Sequence, residues 1–185
     1  MTQSAYDNFL DENSGMLRFF AIALIIYGSF YLFYSYVIIE SKLFDQYLEL
    51  SASLGAWLVN TLGIIQVSIE QQGPVWTKLR AEDNSYVIVA QGCDASTVFA
   101  VLIATLLAWP GRWRKKVPAL IVGLLIMFAL NIVRIAGMSL TESLTPDLFD
   151  LMHEWILPPL LVVGALLYFY FWTLVSDVHP DDENI

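Results

Sequence analysis

The chain has 185 residues, 57% of them hydrophobic and 15% charged, with a formal net charge of −9; its mean hydropathy is +0.61. That much apolar surface is more than a water-soluble domain of this size covers, which excludes a disordered chain, a nucleic-acid binder and an ordinary cytosolic enzyme. The single cysteine excludes an internal disulfide framework and a multi-cysteine metal cluster, and the natural solvent is a bilayer.

A hydrocarbon core about 30 Å thick needs roughly 20 apolar residues at about 1.5 Å each. Residues 17–40 meet this as a first span, whose core from 19 to 39 is free of charge and rich in aromatics. It is no cleaved signal peptide: the preceding segment is acidic, with Asp7, Asp11 and Glu12, and no small-residue cleavage site follows. Residues 44–65 carry Asp45, Glu49, Ser51, Ser53 and Asn60, and read as a polar-faced second span or as an interfacial amphipathic helix. Residues 66–92 alternate and are β-branched, in QVSIE, VWTKL and SYVIVA, with the turn signals QQGP and AEDN between them. A small sheet or hairpin there belongs outside the hydrocarbon, because lipid cannot satisfy open strand edges.

Residues 94–110 form a third span, ending at Pro110-Gly111. Residues 117–140 form a fourth and 154–175 a fifth, and an acidic tail, 176–185, closes the chain. The expected fold is thus an all-α membrane bundle of about five transmembrane helices, with an extracytoplasmic β region before the cysteine-bearing helix. Ala119 and Gly123 lie four apart, a small-xxx-small spacing that lets helices approach closely. Four of the nine bases cluster at Arg112, Arg114, Lys115 and Lys116, which makes that loop cytoplasmic. The β region, the loop 141–153 and the tip of the third span then face outward together. The N-terminus lies outside if 44–65 crosses and inside if it does not.

Ionisable groups inside a span tend to be functional. Arg134 is the one ionisable residue clearly within an apolar run, and lies about 26 Å along the helix from Val117, near the outer boundary. Asn131 shares its helix face. Cys93 sits where the β region meets the outer end of the third span, between Gly92 and Asp94, and a helix N-terminus favours the thiolate there. His153 opens the last span, whereas His179 lies in the tail on the opposite side; HE here is not H-E-x-x-H, since residue 157 is Leu. Each residue alone has an ordinary explanation: a snorkelling arginine, an inert cysteine, a histidine in an aromatic belt. Together they put a thiol, an imidazole and a cation at one membrane level, from three spans, and those are the parts of an acyl-transfer site. No cofactor motif is visible, and thioester chemistry needs none.

The order of Cys93 in GCDAS (92–96), LAWPGRWRKK (107–116), NIVRI (131–135) and LFDLMHEW (148–155) resembles the exosortase/archaeosortase family of membrane-embedded thiol transpeptidase-like enzymes. The resemblance runs over residues 85–175, about half of the chain, and the N-terminal half matches only in being apolar. The chain looks like a compact version, and departs in one place: many members read Cys-Ser-Gly or Cys-Asn-Gly where Asp94 and Ala95 follow Cys93 here. The resemblance implies an enzyme of the prokaryotic cytoplasmic (inner) membrane, with its active site facing outside. Its partners are membrane lipid and proteins bearing a C-terminal signal of the PEP-CTERM type: a short motif, one helix and a basic tail. It also implies that Cys93 is the nucleophile, Arg134 the essential arginine and His153 the third member. Asn131 and Asp94 are supporting candidates. Two rivals remain at the level of sequence: a non-catalytic module such as a transporter subunit or assembly factor, and a membrane thiol enzyme acting on lipid or an acyl donor.

Overall fold

Apolar runs that cannot be covered by polar surface fold as helices, because a helix satisfies its own backbone. The computed structural model of the chain describes residues 14–73 and 75–176 and is mostly helical. The α-helices are α1 (Ser14–Phe33), α2 (Lys42–Leu62), α3 (Ser96–Ala108), α4 (Trp113–Leu144) and α5 (Leu157–Val175). Three strands, β1 (Val67–Gly73), β2 (Trp76–Ala81) and β3 (Tyr86–Ala90), lie between α2 and α3. Among the described residues, three helical stretches are long and apolar enough to cross a membrane: Ser14–Ile38, Trp113–Leu144 and Pro146–Val175. α3 is apolar but only 13 residues long, or about 20 Å. The acidic tail lies outside the described residues from position 177 on, as do Asp7, Asp11, Glu12 and His179.

Contacts fix which way the helices run. Phe19, early in α1, packs with Trp109 and Phe169. Tyr34, just past the end of α1, bonds Asp94, just before α3. α1 and α3 are therefore antiparallel, and the start of α1 lies at the same end as the basic cluster. α2 runs parallel to the distal half of α4. Tyr47 packs on Phe128, at 5.9 Å between ring centroids, and Gly55 lies against Ile135, which a Cβ on Gly55 would meet at 2.6 Å. α2 does not return to the basic end; beyond Gly63, in the left-handed region at φ 69°, the chain passes straight into the sheet.

The sheet is an antiparallel meander in the order β1-β2-β3, with a register irregularity between Ile69 and Gln71. Thr77, Leu79, Ala81, Val87 and Val89 face inward and are buried. The other face carries Glu70, which pairs with Lys78 at 2.8 Å and Arg80 at 2.9 Å. Three tethers dock the sheet: Asn60 exchanges hydrogen bonds with the Val67 backbone, Val75 N donates to Asp45, and Ser143 of α4 donates to Asp83.

Two apolar cores result. One joins the sheet, α2 and the distal part of α4, and includes Cys93. The other joins α3, the proximal part of α4 and α5, and includes Ala95. They meet at the turn between β3 and α3. Ala119 and Gly123 are buried in the second core. A Cβ at Gly123 would meet Tyr168 at 2.6 Å and Leu102 at 2.9 Å, and the Tyr168 hydroxyl donates to Ala119 O. The expected close approach of small residues is thus made, against α3 and α5 together. Around both cores, side chains such as Phe20, Leu24, Leu125, Val133, Leu160 and Phe171 stay exposed, as a lipid-facing surface requires.

The basic cluster is more ordered than a loop. Helix α4 begins at Trp113, so Lys115 and Lys116 are helical. Lys116 Nζ donates to Leu107 O in the last turn of α3, and Lys115 Nζ donates to Ser176 O just past α5. Two of the four bases therefore cap helix C-termini, where orphan carbonyls and the helix dipole favour a cation.

Candidate active site

The site is built around the turn Gly92-Cys93-Asp94-Ala95. Gly92 has φ 93° and Ala95 φ 58°, and this double reversal turns the chain sharply from β3 into α3. Open space surrounds the position of a Cβ on Gly92, so glycine is favoured there by backbone conformation alone.

Three consecutive carbonyls of the turn are each captured by a side chain from another helix. Gly92 O accepts from Arg134 Nη1 at 3.2 Å, Cys93 O from Asn131 Nδ2 at 3.0 Å, and Asp94 O from the Tyr47 hydroxyl at 2.6 Å. Asn131 and Arg134 reach neighbouring carbonyls because they stand one helical turn apart on α4. The Asp94 carboxylate is 2% exposed and is fully engaged: one oxygen accepts from Gly92 N at 2.9 Å, the other from the Tyr34 hydroxyl at 2.7 Å. Buried polar groups without such partners would destabilise the turn by about 1–3 kcal/mol each.

Cys93 is 5% exposed, and its Sγ lies 3.7 Å from His153 Nε2. His153 comes from a separate element, the π-helical segment Leu151–Ile156, in which Leu157 N–H bonds Met152 O, five residues back. Pro158 and Pro159 explain the register: neither has the amide hydrogen that would bond residue 154 or 155 in α-helical register. The Phe149 ring stacks on the imidazole at 5.5 Å and 8°. Tyr34 is likewise the buried residue of a π-helical segment, Tyr34–Ile38. Such widened turns are frequent at functional sites.

Burial pushes the Cys93 thiol above its ordinary range, and the Arg134 guanidinium pulls it back only in part. The sequence pointed to a thiolate favoured by the N-terminus of α3. Desolvation instead prevails, because Cys93 precedes the helix by three positions and sits inside the first core. At rest Cys93 is a thiol with an imidazole beside it. Arg134 is also 5% exposed, and its Nε has no hydrogen-bond partner among the described residues. The guanidinium keeps a spare donor within the site.

All five residues singled out in the sequence, Cys93, Arg134, His153, Asn131 and Asp94, meet at this turn. Tyr34 and Tyr47 were not foreseen. The signal was available in principle, since a tyrosine inside an apolar span needs a partner for its hydroxyl when buried. Among the described residues, no three His, Cys, Asp or Glu side chains are grouped to hold a metal ion.

A family model described as transmembrane exosortase matches residues 13–172. The match extends the likeness into the N-terminal half, including the stretch that supplies Tyr34 and Tyr47. No curated protein matches the chain, and no solved structure does.

Proposed function

The chain belongs to the transmembrane exosortase family, and from that premise we propose that it is a membrane-embedded cysteine peptidase or transpeptidase. It acts on proteins that carry a C-terminal sorting signal of the PEP-CTERM type, at the outer face of the cytoplasmic (inner) membrane. The observation that carries the reading is the 3.7 Å approach of Cys93 Sγ to His153 Nε2, across separate elements, beside the buried Arg134.

The geometry supports the following chemistry. Cys93 Sγ attacks the scissile carbonyl carbon as its proton passes to His153 Nε2. The carbonyl oxygen becomes an oxyanion, which the guanidinium of Arg134 stabilises; one such donor is worth about 3–4 kcal/mol. The C–N bond then breaks, and the imidazolium returns its proton to the departing amine. The thioester is resolved by water or by an acceptor nucleophile. Asn131 and Asp94 act by holding the turn.

The direction of the helices supports four crossings, by α1, α3, α4 and α5. α2 and the sheet lie on the outer side, which favours the interfacial reading of 44–65. Both the start of α1 and the basic cluster then face the cytoplasm, in line with the positive-inside rule. The charged face of the sheet, with Glu70, Lys78 and Arg80, suits water and not hydrocarbon.

The test is intact-mass analysis of a candidate substrate, a protein ending in a short motif, one apolar helix and a basic tail. Cells carrying the intact enzyme should yield the shortened product. Cells carrying Cys93→Ala should yield only the full-length protein, with the variant accumulating normally. Undiminished processing by Cys93→Ala removes the nucleophile assignment.

A further inference from the structure

Beside the cysteine turn lies a cavity of about 140 Å³. Its walls include Phe30, Tyr34, Phe44, Tyr47, Phe99 and Asp94. We propose that it is the pocket for the substrate side chain on the acyl side of the scissile bond, and that it takes one compact apolar side chain, branched or ring-bearing. This rests on Cys93 being the nucleophile.

Three observations carry the assignment. The first is position. Asp94 follows Cys93 directly, so their Cα atoms stand about 3.8 Å apart, and Ser96 also lines the cavity. A residue joined to Cys93 Sγ through its carbonyl has its own side chain within reach of this wall. The second is sidedness. The cavity is walled by α1, α2, α3 and the segments joining them, whereas His153 comes from the segment before α5. The leaving amine must face His153 to receive its proton, which directs the acyl residue away from that segment, and the segment contributes nothing to the cavity wall. The third is chemistry. The carboxylate of Asp94 offers no free charge to a ligand, because Tyr34 and Gly92 occupy both its oxygens. The hydroxyls of Tyr34 and Tyr47 are likewise committed to Asp94. What remains for a guest is apolar, mostly aromatic surface with the Ser96 side chain at its edge, in a volume close to the engineered cavity of about 150 Å³ that takes up benzene.

The experiment uses the full chain in lipid nanodiscs and a series of tripeptidyl chloromethyl ketones. The residue next to the ketone is varied through glycine, alanine, valine, leucine and phenylalanine. Cys93 Sγ displaces chloride and forms a C–S bond, which intact mass reports. The proposal expects the leucine or phenylalanine probe to react about tenfold or more faster than the glycine probe. It also expects that ratio to fall towards one in Phe99→Trp, which fills the cavity, and the optimum to move to larger side chains in Phe99→Ala. Equal rates across the series, with Cys93 modified, overturn the pocket and leave the nucleophile standing. Failure of every probe to modify Cys93 faster than it modifies the unfolded chain overturns both. A dodecyl chloromethyl ketone that reacts faster than every peptide, and loses that advantage in Phe99→Trp, makes the cavity a lipid site and overturns the proposal.

Discussion

At Cys93 two influences oppose each other. Burial raises the thiol and Arg134 lowers it, and burial prevails. A group raised in the folded state stabilises the fold fully below its unfolded value, and that contribution is lost as pH rises through the folded one. Alkylation of Cys93 by iodoacetamide should therefore keep climbing, by up to tenfold per pH unit, above about pH 8.5, where a free cysteine levels off. A plateau below neutrality would mean a preformed thiolate, and would overturn the proposed role of His153 as proton acceptor. Arg134→Lys should reduce turnover by about a hundredfold, because an ammonium lacks the planar fork that reaches Gly92 O while leaving another N–H free. Substrate turnover within a few fold of the parent would return Arg134 to a role in holding the turn. These residues stood out in the sequence because a thiol, a guanidinium and an imidazole are conspicuous in apolar surroundings. Tyr34 and Tyr47 did not, since the chain has nine tyrosines, most of which an aromatic membrane belt would explain equally well.

Among the elements, helix α4 does most to assemble the site, carrying Asn131 and Arg134 to the turn while its Gly123 lets α3 and α5 close around it and Gly55 of α2 lets α2 lie against its Ile135. Gly123→Ala tests that packing. Its Cβ would fall 2.6 Å from Tyr168, in a place where ring and helices are both constrained, and overpacking of this kind costs about 1–3 kcal/mol. A lowered melting temperature in detergent is expected, with Gly137→Ala as the contrast, since open space surrounds that position. Equal melting temperatures for the two variants would show that the bundle yields at Gly123. The existence of the helices and strands was legible from length and periodicity. The extent of α4, the brevity of α3 and the two π-helical segments were not. They depend on prolines, glycines and neighbouring helices competing for the same backbone groups.

Across the whole molecule, the site occupies the seam between the helical bundle and a sheet-capped layer at the end away from the basic cluster. Membrane sidedness can be read by labelling single cysteines in a Cys93→Ala background with an impermeant maleimide. Thr61→Cys, at the exposed end of α2, should react from outside intact cells. Arg112→Cys should react only after permeabilisation, and a tag placed before residue 14 should be accessible on the Arg112 side. A tag on the Thr61 side would mean that residues 42–62 cross the bilayer after all.

The sequence by itself determined that this is an integral membrane protein and that it carries a β region between helical runs, and it pointed to a cysteine, an arginine and a histidine that meet at one end of the bundle. Those conclusions need only hydropathy, periodicity and about 1.5 Å of rise per helical residue. The tertiary structure decided whether α2 returns to the basic end, which way the thiol shifts, and that Tyr34, Tyr47 and Phe99 surround the turn. Such outcomes depend on which faces pack against each other and on how much water they exclude, and one-dimensional spacing does not contain that information.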